Sequence, residues 1–274
     1  MADVIDTINP GWVTNKKGIH FSDNFQRIIE FYLFSTPCDL TSSSSHGMSG
    51  RNWGAKPWSK TKLRSYLLHI GGFTVGQNYC KATKGSKKNG TQSNMSDKLA
   101  VCQLNGVFQS LRDNRIVFLS SDKYAEFIDV FYYIRCSFAH GRFIVSEGKD
   151  EPVYIMESAI MPKNKKETEC KITARMVIKE STLIKWADVI DSGRSALETF
   201  KASEEQQIKD EIIDLIFDGQ HLCQKQIIKQ LYPSHSSVFT KKDIKDAFDS
   251  LKKKNALYFQ KNKESGLSTI SIRN

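Results

Sequence analysis

The sequence contains no CxxC pair, no run of about eighteen apolar residues and no cluster of side chains at metal-ligand spacing. Its cysteines, Cys38, Cys80, Cys102, Cys136, Cys170 and Cys223, are widely scattered. That pattern excludes a disulfide framework or zinc site read from spacing, and makes reduced thiols in a cytoplasmic protein the expectation. The start, MADVIDTINPGW, is acidic and lacks a hydrophobic signal core, which argues against secretion. No membrane segment, metal or cofactor is expected. Acidic residues are also scarce in one region: between Arg51 and Lys98 ten basic residues face the single acid Asp97, a net +9 in a chain whose total is +10. Charge concentrated in this way favours an anionic partner, with Arg51, Lys56, Lys81, Lys84, Lys87 and Lys88 as candidate nucleic-acid contacts; a lysine-rich solvated loop is the plainer reading of the same residues.

What is present suffices for a folded protein. The 274 residues are 39% hydrophobic and 26% charged, inside the globular range, and the length allows one to two domains. The stretch Asp122 to Gly141, DKYAEFIDVFYYIRCSFAHG, places Tyr124, Phe127, Ile128, Phe131, Ile134 and Phe138 on one face of a helix. Ser121 or Asp122 can cap its start and Gly141 supplies a left-handed exit. Arg135 projects from inside the apolar stripe, where an unpaired cation is costly. His140 follows five residues on.

Upstream, Phe21 to Ser35 reads as a core helix through Phe25, Ile28, Ile29, Tyr32 and Leu33, and Ser59 to Ile70 as another through Leu63, Tyr66, Leu67 and Ile70. The Ser- and Gly-rich stretch between them carries Trp53 and Trp58, which either pin the loop to the core or offer faces to nucleic-acid bases. Asn78 to Asn94 reads as a basic loop, and Met95 to Leu111 as a helix. Downstream, Arg142 to Ser146, Val153 to Glu157 and Cys170 to Lys179 read as strands of a small antiparallel sheet, the last alternating cleanly through Cys170, Ile172, Ala174, Met176 and Ile178. Ser181 to Ile190 returns to helical spacing, and Ser192 to Ala202 is a weakly patterned linker.

From Ser203 the order is three helices and a hairpin, which resembles a winged helix-turn-helix over about the last seventy residues. Lys241, Lys242 and Lys245 on its third helix suit phosphates. Asp243, Asp246 and Asp249 share that helix, and residues 203–274 carry twelve basic against ten acidic side chains. DNA binding and protein docking are therefore both open for this module.

The residues IRCSFAHG, at the end of an apolar helix, resemble the Arg-x4-His motif of the HEPN (higher eukaryotes and prokaryotes nucleotide-binding) superfamily. The resemblance covers roughly Phe21 to Asp191, with Arg51 to Lys98 as an elaboration. It implies a helical bundle, and in many members metal-independent ribonuclease activity in antiphage defence, toxin systems or RNA processing. Active members often carry Asn, Asp or His after the motif arginine; here that position is Cys136, with Ser137 as a possible substitute support and Arg142 as a further contact to RNA.

The chemistry fits these residue types. RNA cleavage by its own 2′-hydroxyl needs proton transfer, which His140 can perform near neutrality, and charge stabilisation at the phosphorane, which a permanently charged Arg135 can give in forked form. Positions five apart diverge by about 140° on a helix, so one chain does not automatically close the site. The resemblance implies a homodimer that combines two such sets. The plainer reading is that Arg135 pairs with a buried carboxylate and His140 caps the helix; a Cys136 nucleophile with His140 is a third.

The expectation is thus a mainly α protein: a HEPN-like helical bundle with a small antiparallel β-sheet over residues 1–195, then a winged helix-turn-helix domain over 203–274. A non-catalytic nucleic-acid-binding regulator is the alternative to an endoribonuclease.

Overall fold

The computed structural model describes residues 22–38, 48–51, 53, 58, 63–83, 94–106, 113–120, 126–147, 150–160, 171–217, 223–235, 241–253, 257–261 and 268–272. The chain divides into two compact units, Met1–Gly193 and Arg194–Asn274.

The first unit is built on a five-stranded mixed sheet, not on a helical bundle with a small sheet. Its strands are β1 (Tyr79–Ala82), β2 (Arg115–Leu119), β3 (Phe143–Ser146), β4 (Val153–Ile160) and β5 (Lys171–Lys179), in the order β1-β2-β5-β4-β3. β1 and β2 are parallel, and the other pairs antiparallel. The expected antiparallel strands are thus present as β3, β4 and β5, and the two parallel strands change the fold class to mixed α/β. After Arg115, the β2 run IVFL is apolar and buried on both faces, so it carries no alternation to signal a strand. β1 occupies part of the segment read as a loop.

Helices α1 (Phe25–Ile29), α2 (Leu63–Ile70), α3 (Met95–Val101), α4 (Glu126–Ala139) and α5 (Glu180–Ser192) belong to this unit. α1 continues into a π-helical turn, Glu30–Phe34. α3 is shorter than the helix expected to reach Leu111, because Gln103 takes a positive φ of 56° and ends it; residues 107–112 lie outside the described set. α3 covers one sheet face, packing Met95, Leu99, Cys102 and Leu104 on Val117, Ile155 and Val177. The other face is aromatic. Phe127 of α4 stacks on Tyr79 and meets Trp186 of α5 edge-on, while Phe138 meets Tyr154.

Several polar tips in this core are bonded, as burial favours. The Trp186 indole N–H donates to the Leu67 carbonyl at 2.8 Å, the Tyr133 hydroxyl to the Leu119 carbonyl at 2.8 Å, and the Tyr32 hydroxyl to the Leu183 carbonyl at 3.0 Å. Glu180, at the head of α5, is buried and accepts from Ser22 Oγ, from Asn24 Nδ2 at 2.9 Å and from the Tyr154 hydroxyl at 3.1 Å.

The second unit contains α6 (Arg194–Phe217), α7 (Gln224–His235) and α8 (Lys241–Lys253), then the antiparallel pair β6 (Leu257–Lys261) and β7 (Ser268–Ile272). α6 runs unbroken through the expected linker and through Ser203, so Ser203 caps nothing. Ile208, Ile212, Ile227, Leu231, Ile244, Phe248 and Leu251 form its core. No described helix is long and apolar enough to cross a membrane.

Candidate functional site

The motif helix α4 is amphipathic as its spacing predicts: Phe127, Phe131, Ile134 and Phe138 are buried against the aromatic side of the sheet. Its end is set by backbone geometry. The Arg142 N–H donates to the Ser137 carbonyl at 2.8 Å and the Gly141 N–H to the Phe138 carbonyl at 3.1 Å, with Gly141 at φ 61°. These are the two bonds of a Schellman turn, and glycine is needed because the position is left-handed. His140 is the residue before that glycine, and its side chain is exposed. The turn hands the chain straight to β3. An imidazole is thereby held at the surface on a backbone that both the helix and the sheet fix.

Arg135 lies one turn earlier and is half-buried. Cys136 beside it is half-buried too, and burial raises its thiol; the Tyr132 hydroxyl and the Arg135 guanidinium oppose this without cancelling it. Burial therefore disfavours the thiolate form at Cys136. Ser137 is fully buried, and its hydroxyl donates to the Tyr133 carbonyl at 2.9 Å, back along the helix. It therefore lends nothing to an outward site in place of the usual polar residue after the arginine.

Arg142 turns out to be anchored to the sheet. Its carbonyl accepts from the Glu157 N–H at 3.0 Å, and its Nη1 lies 3.9 Å from Glu157 Oε1. Glu157 is completely buried and takes Arg175 Nε at 2.8 Å across the β4/β5 ladder, while Arg175 Nη1 donates to the Leu104 carbonyl at 3.0 Å. Burial pushes the Glu157 carboxyl up, and the guanidiniums of Arg175 and then Arg142 pull it down. The β5 alternation pointed to one buried face only; Arg175 and Glu157 occupy the other, which α3 buries as well.

No family model matches the chain, and neither a curated protein nor a solved structure matches it. Its chemistry is therefore read from its own residues.

The expected basic surface divides. Arg51 is buried, with Nε 2.9 Å from Asp191, Nη2 on the Ser35 carbonyl and its guanidinium over Phe31, so it is a brace inside the first unit. Lys81 is exposed on β1. Lys56, Lys84, Lys87 and Lys88 lie outside the described residues. Trp53 is buried and donates to the Ile190 carbonyl at 2.8 Å, and Trp58 stacks on Phe127, so both indoles pin inward. In the second unit Lys241, Lys242 and Lys245 are exposed on α8, opposite its buried Ile244, Ala247, Phe248 and Leu251; the Lys241 ammonium sits 5.1 Å from the Tyr232 ring centre. Among the described residues, no group of three or more His, Cys, Asp or Glu side chains is placed to hold a metal ion.

Proposed function

We propose that the chain is an endoribonuclease that cleaves RNA by attack of the 2′-hydroxyl on the adjacent phosphate, with His140 as the proton-transfer group and Arg135 holding the non-bridging oxygens. The observation that carries this reading is the exposed His140 on its Schellman turn at the end of the arginine-bearing helix. The HEPN resemblance supports it at the motif alone, because the helical bundle that resemblance implies is not the fold of this unit. Since Arg135 and His140 diverge on the helix, two copies of the chain supply the complete site, each giving its pair to one shared cleft. The mechanism that the resemblance implies needs no metal, and the setting it implies is defence against phage, a toxin system or RNA processing; the scattered cysteines favour a cytoplasmic protein.

The test is incubation of the purified chain with mixed RNA in EDTA. The expected products carry 2′,3′-cyclic phosphate and 5′-hydroxyl ends, and His140→Ala lowers the rate by about 100-fold or more. A folded, dimeric protein that cleaves no RNA overturns the reading.

A second reading rests on α8. Its solvent face offers Lys241, Lys242 and Lys245 in a unit ordered as three helices and a strand pair, which fits a winged-helix module that grips phosphates without catalysis. Nucleic-acid binding that weakens with salt and survives loss of Arg135 and His140, with no cleavage, favours it.

A further inference from the structure

At the opposite edge of the sheet from the motif, the starts of the parallel strands β1 and β2 meet the end of the antiparallel β5. A cleft of about 620 Å³ opens there, bounded by the Gly71–Gly72 and Gly76–Asn78 backbone, the end of α3 and the residues just before β2. That volume is within the range of small-molecule sites, about 300 to 1,000 Å³.

Part of the lining is committed to the fold. Asn114 is buried, its Nδ2 donating to the Gly71 carbonyl at 2.7 Å and to Thr182 Oγ1 at 2.8 Å, while its Oδ1 accepts from the Lys179 N–H at 2.7 Å. Asn78 accepts from the Thr74 N–H at 2.6 Å and donates to the Gly72 carbonyl at 3.1 Å. These bonds make the frame rigid.

The remaining polar groups have spare capacity. Arg115 donates Nη1 to the Cys102 carbonyl at 3.1 Å, but its buried Nε has no hydrogen-bond partner among the described residues. The Lys179 ammonium makes no ion pair with any described residue, and neither does the Asp113 carboxylate; the Gln77 and Gln103 carboxamides have no described hydrogen-bond partner. Register explains why the two cations converge. Arg115 is paired with Val177, so Lys179, two residues on, projects from the same face of the neighbouring strand. Diagonal neighbours of that kind lie about 7 Å apart at the backbone, a span one phosphate can bridge. Half-buried cations that make no ion pair with any described residue, the exposed Asp113 of the same cleft included, leave room for an anion. Beside them, two carboxamides each offer a donor and an acceptor, the pattern that reads the edge of a base, and Val101, 51% exposed, gives an apolar wall.

We propose that this cleft binds a mononucleotide, with the phosphate between Arg115 and Lys179 and the base against Val101, Gln77 and Gln103. The site stands apart from Arg135 and His140 and does not depend on their role.

Calorimetric titration of the full chain with AMP, GMP, CMP and UMP, with inorganic phosphate and adenosine as controls, tests it. At least one mononucleotide binds saturably and about tenfold tighter than either control. Lys179→Gln weakens that binding about tenfold or more, and Val101→Trp, which fills the cleft from an exposed position, does the same or abolishes it. His140→Ala leaves it unchanged, so this reading and the nuclease reading fail separately. The proposal is overturned if no mononucleotide binds, if phosphate alone binds as tightly, or if binding is undiminished in the folded Lys179→Gln and Val101→Trp proteins.

Discussion

Arg142 and Arg175 converge on one buried carboxylate, Glu157, whereas Arg115 and Lys179, farther along the same face of the sheet, line a cleft and make no ion pair with any described residue. The residue types are alike and the settings are opposite. Where a cation's charge is met inside the chain it helps to specify register, as Arg175 and Glu157 do across β4 and β5. Where it is not met inside the chain, the cation is left to water or to a ligand. Net charge in a sequence does not separate these cases. Arg51 belongs to the first kind although it stands in the most basic segment of the chain.

The comparison breaks if the Glu157 cluster tolerates loss of its acid. Glu157→Ala leaves Arg175 buried without its carboxylate and is expected to cost about 3 to 5 kcal/mol in urea unfolding. Replacing both partners with methionine should cost less than that single change, because the desolvation penalty leaves with the charges. A double variant that is worse than Glu157→Ala removes the argument.

Arg135 is the intermediate case, and Cys136 reports on it. With its thiol raised by burial, Cys136 should react with iodoacetamide only at a higher pH than a free cysteine, and Arg135→Gln should shift the profile further upward by removing the cation that pulls the thiol down. A profile that does not move shows that the guanidinium is not beside the sulfur.

Smaller effects sharpen the contrast. Ser137→Ala removes a neutral bond within the helix and is expected to cost about 1 kcal/mol while leaving any RNA cleavage intact. A large loss of cleavage would make Ser137 part of the site after all. Lys179→Gln should change unfolding by less than about 0.5 kcal/mol, since no described partner loses a bond. A destabilisation comparable with that of Glu157→Ala would show that Lys179 belongs to the fold.

Elements with strong period were legible in the sequence: α4 and α5 through their apolar stripes, α8 through Ile244, Ala247, Phe248 and Leu251, and β5 through its alternation. β2 was not, because a strand buried on both faces has no period to read, and β1 was too short to stand out among polar neighbours. Those two strands are what separate a mixed sheet from a helical bundle. Arg135 and His140 were visible as an anomaly in an apolar helix. The commitment of Arg51 was not, since its partners include Asp191, 140 positions away in sequence. Nor was the cleft, which gathers Gln77, Gln103, Arg115 and Lys179 from separate segments that only the register of β2 and β5 brings together.

The strand order has a kinetic consequence. β5 lies at the centre of the sheet yet is the last of its strands to be made, and Glu180, which holds Ser22 and Asn24, follows it directly. During synthesis, β1 with β2 and β3 with β4 must wait as two open pairs, each with an unsatisfied edge, until residue 179 has emerged. Contacts this distant in sequence slow folding, and open edges invite pairing with other chains. A chain stopped before Lys171 would have two half-sheets and no strand to join them.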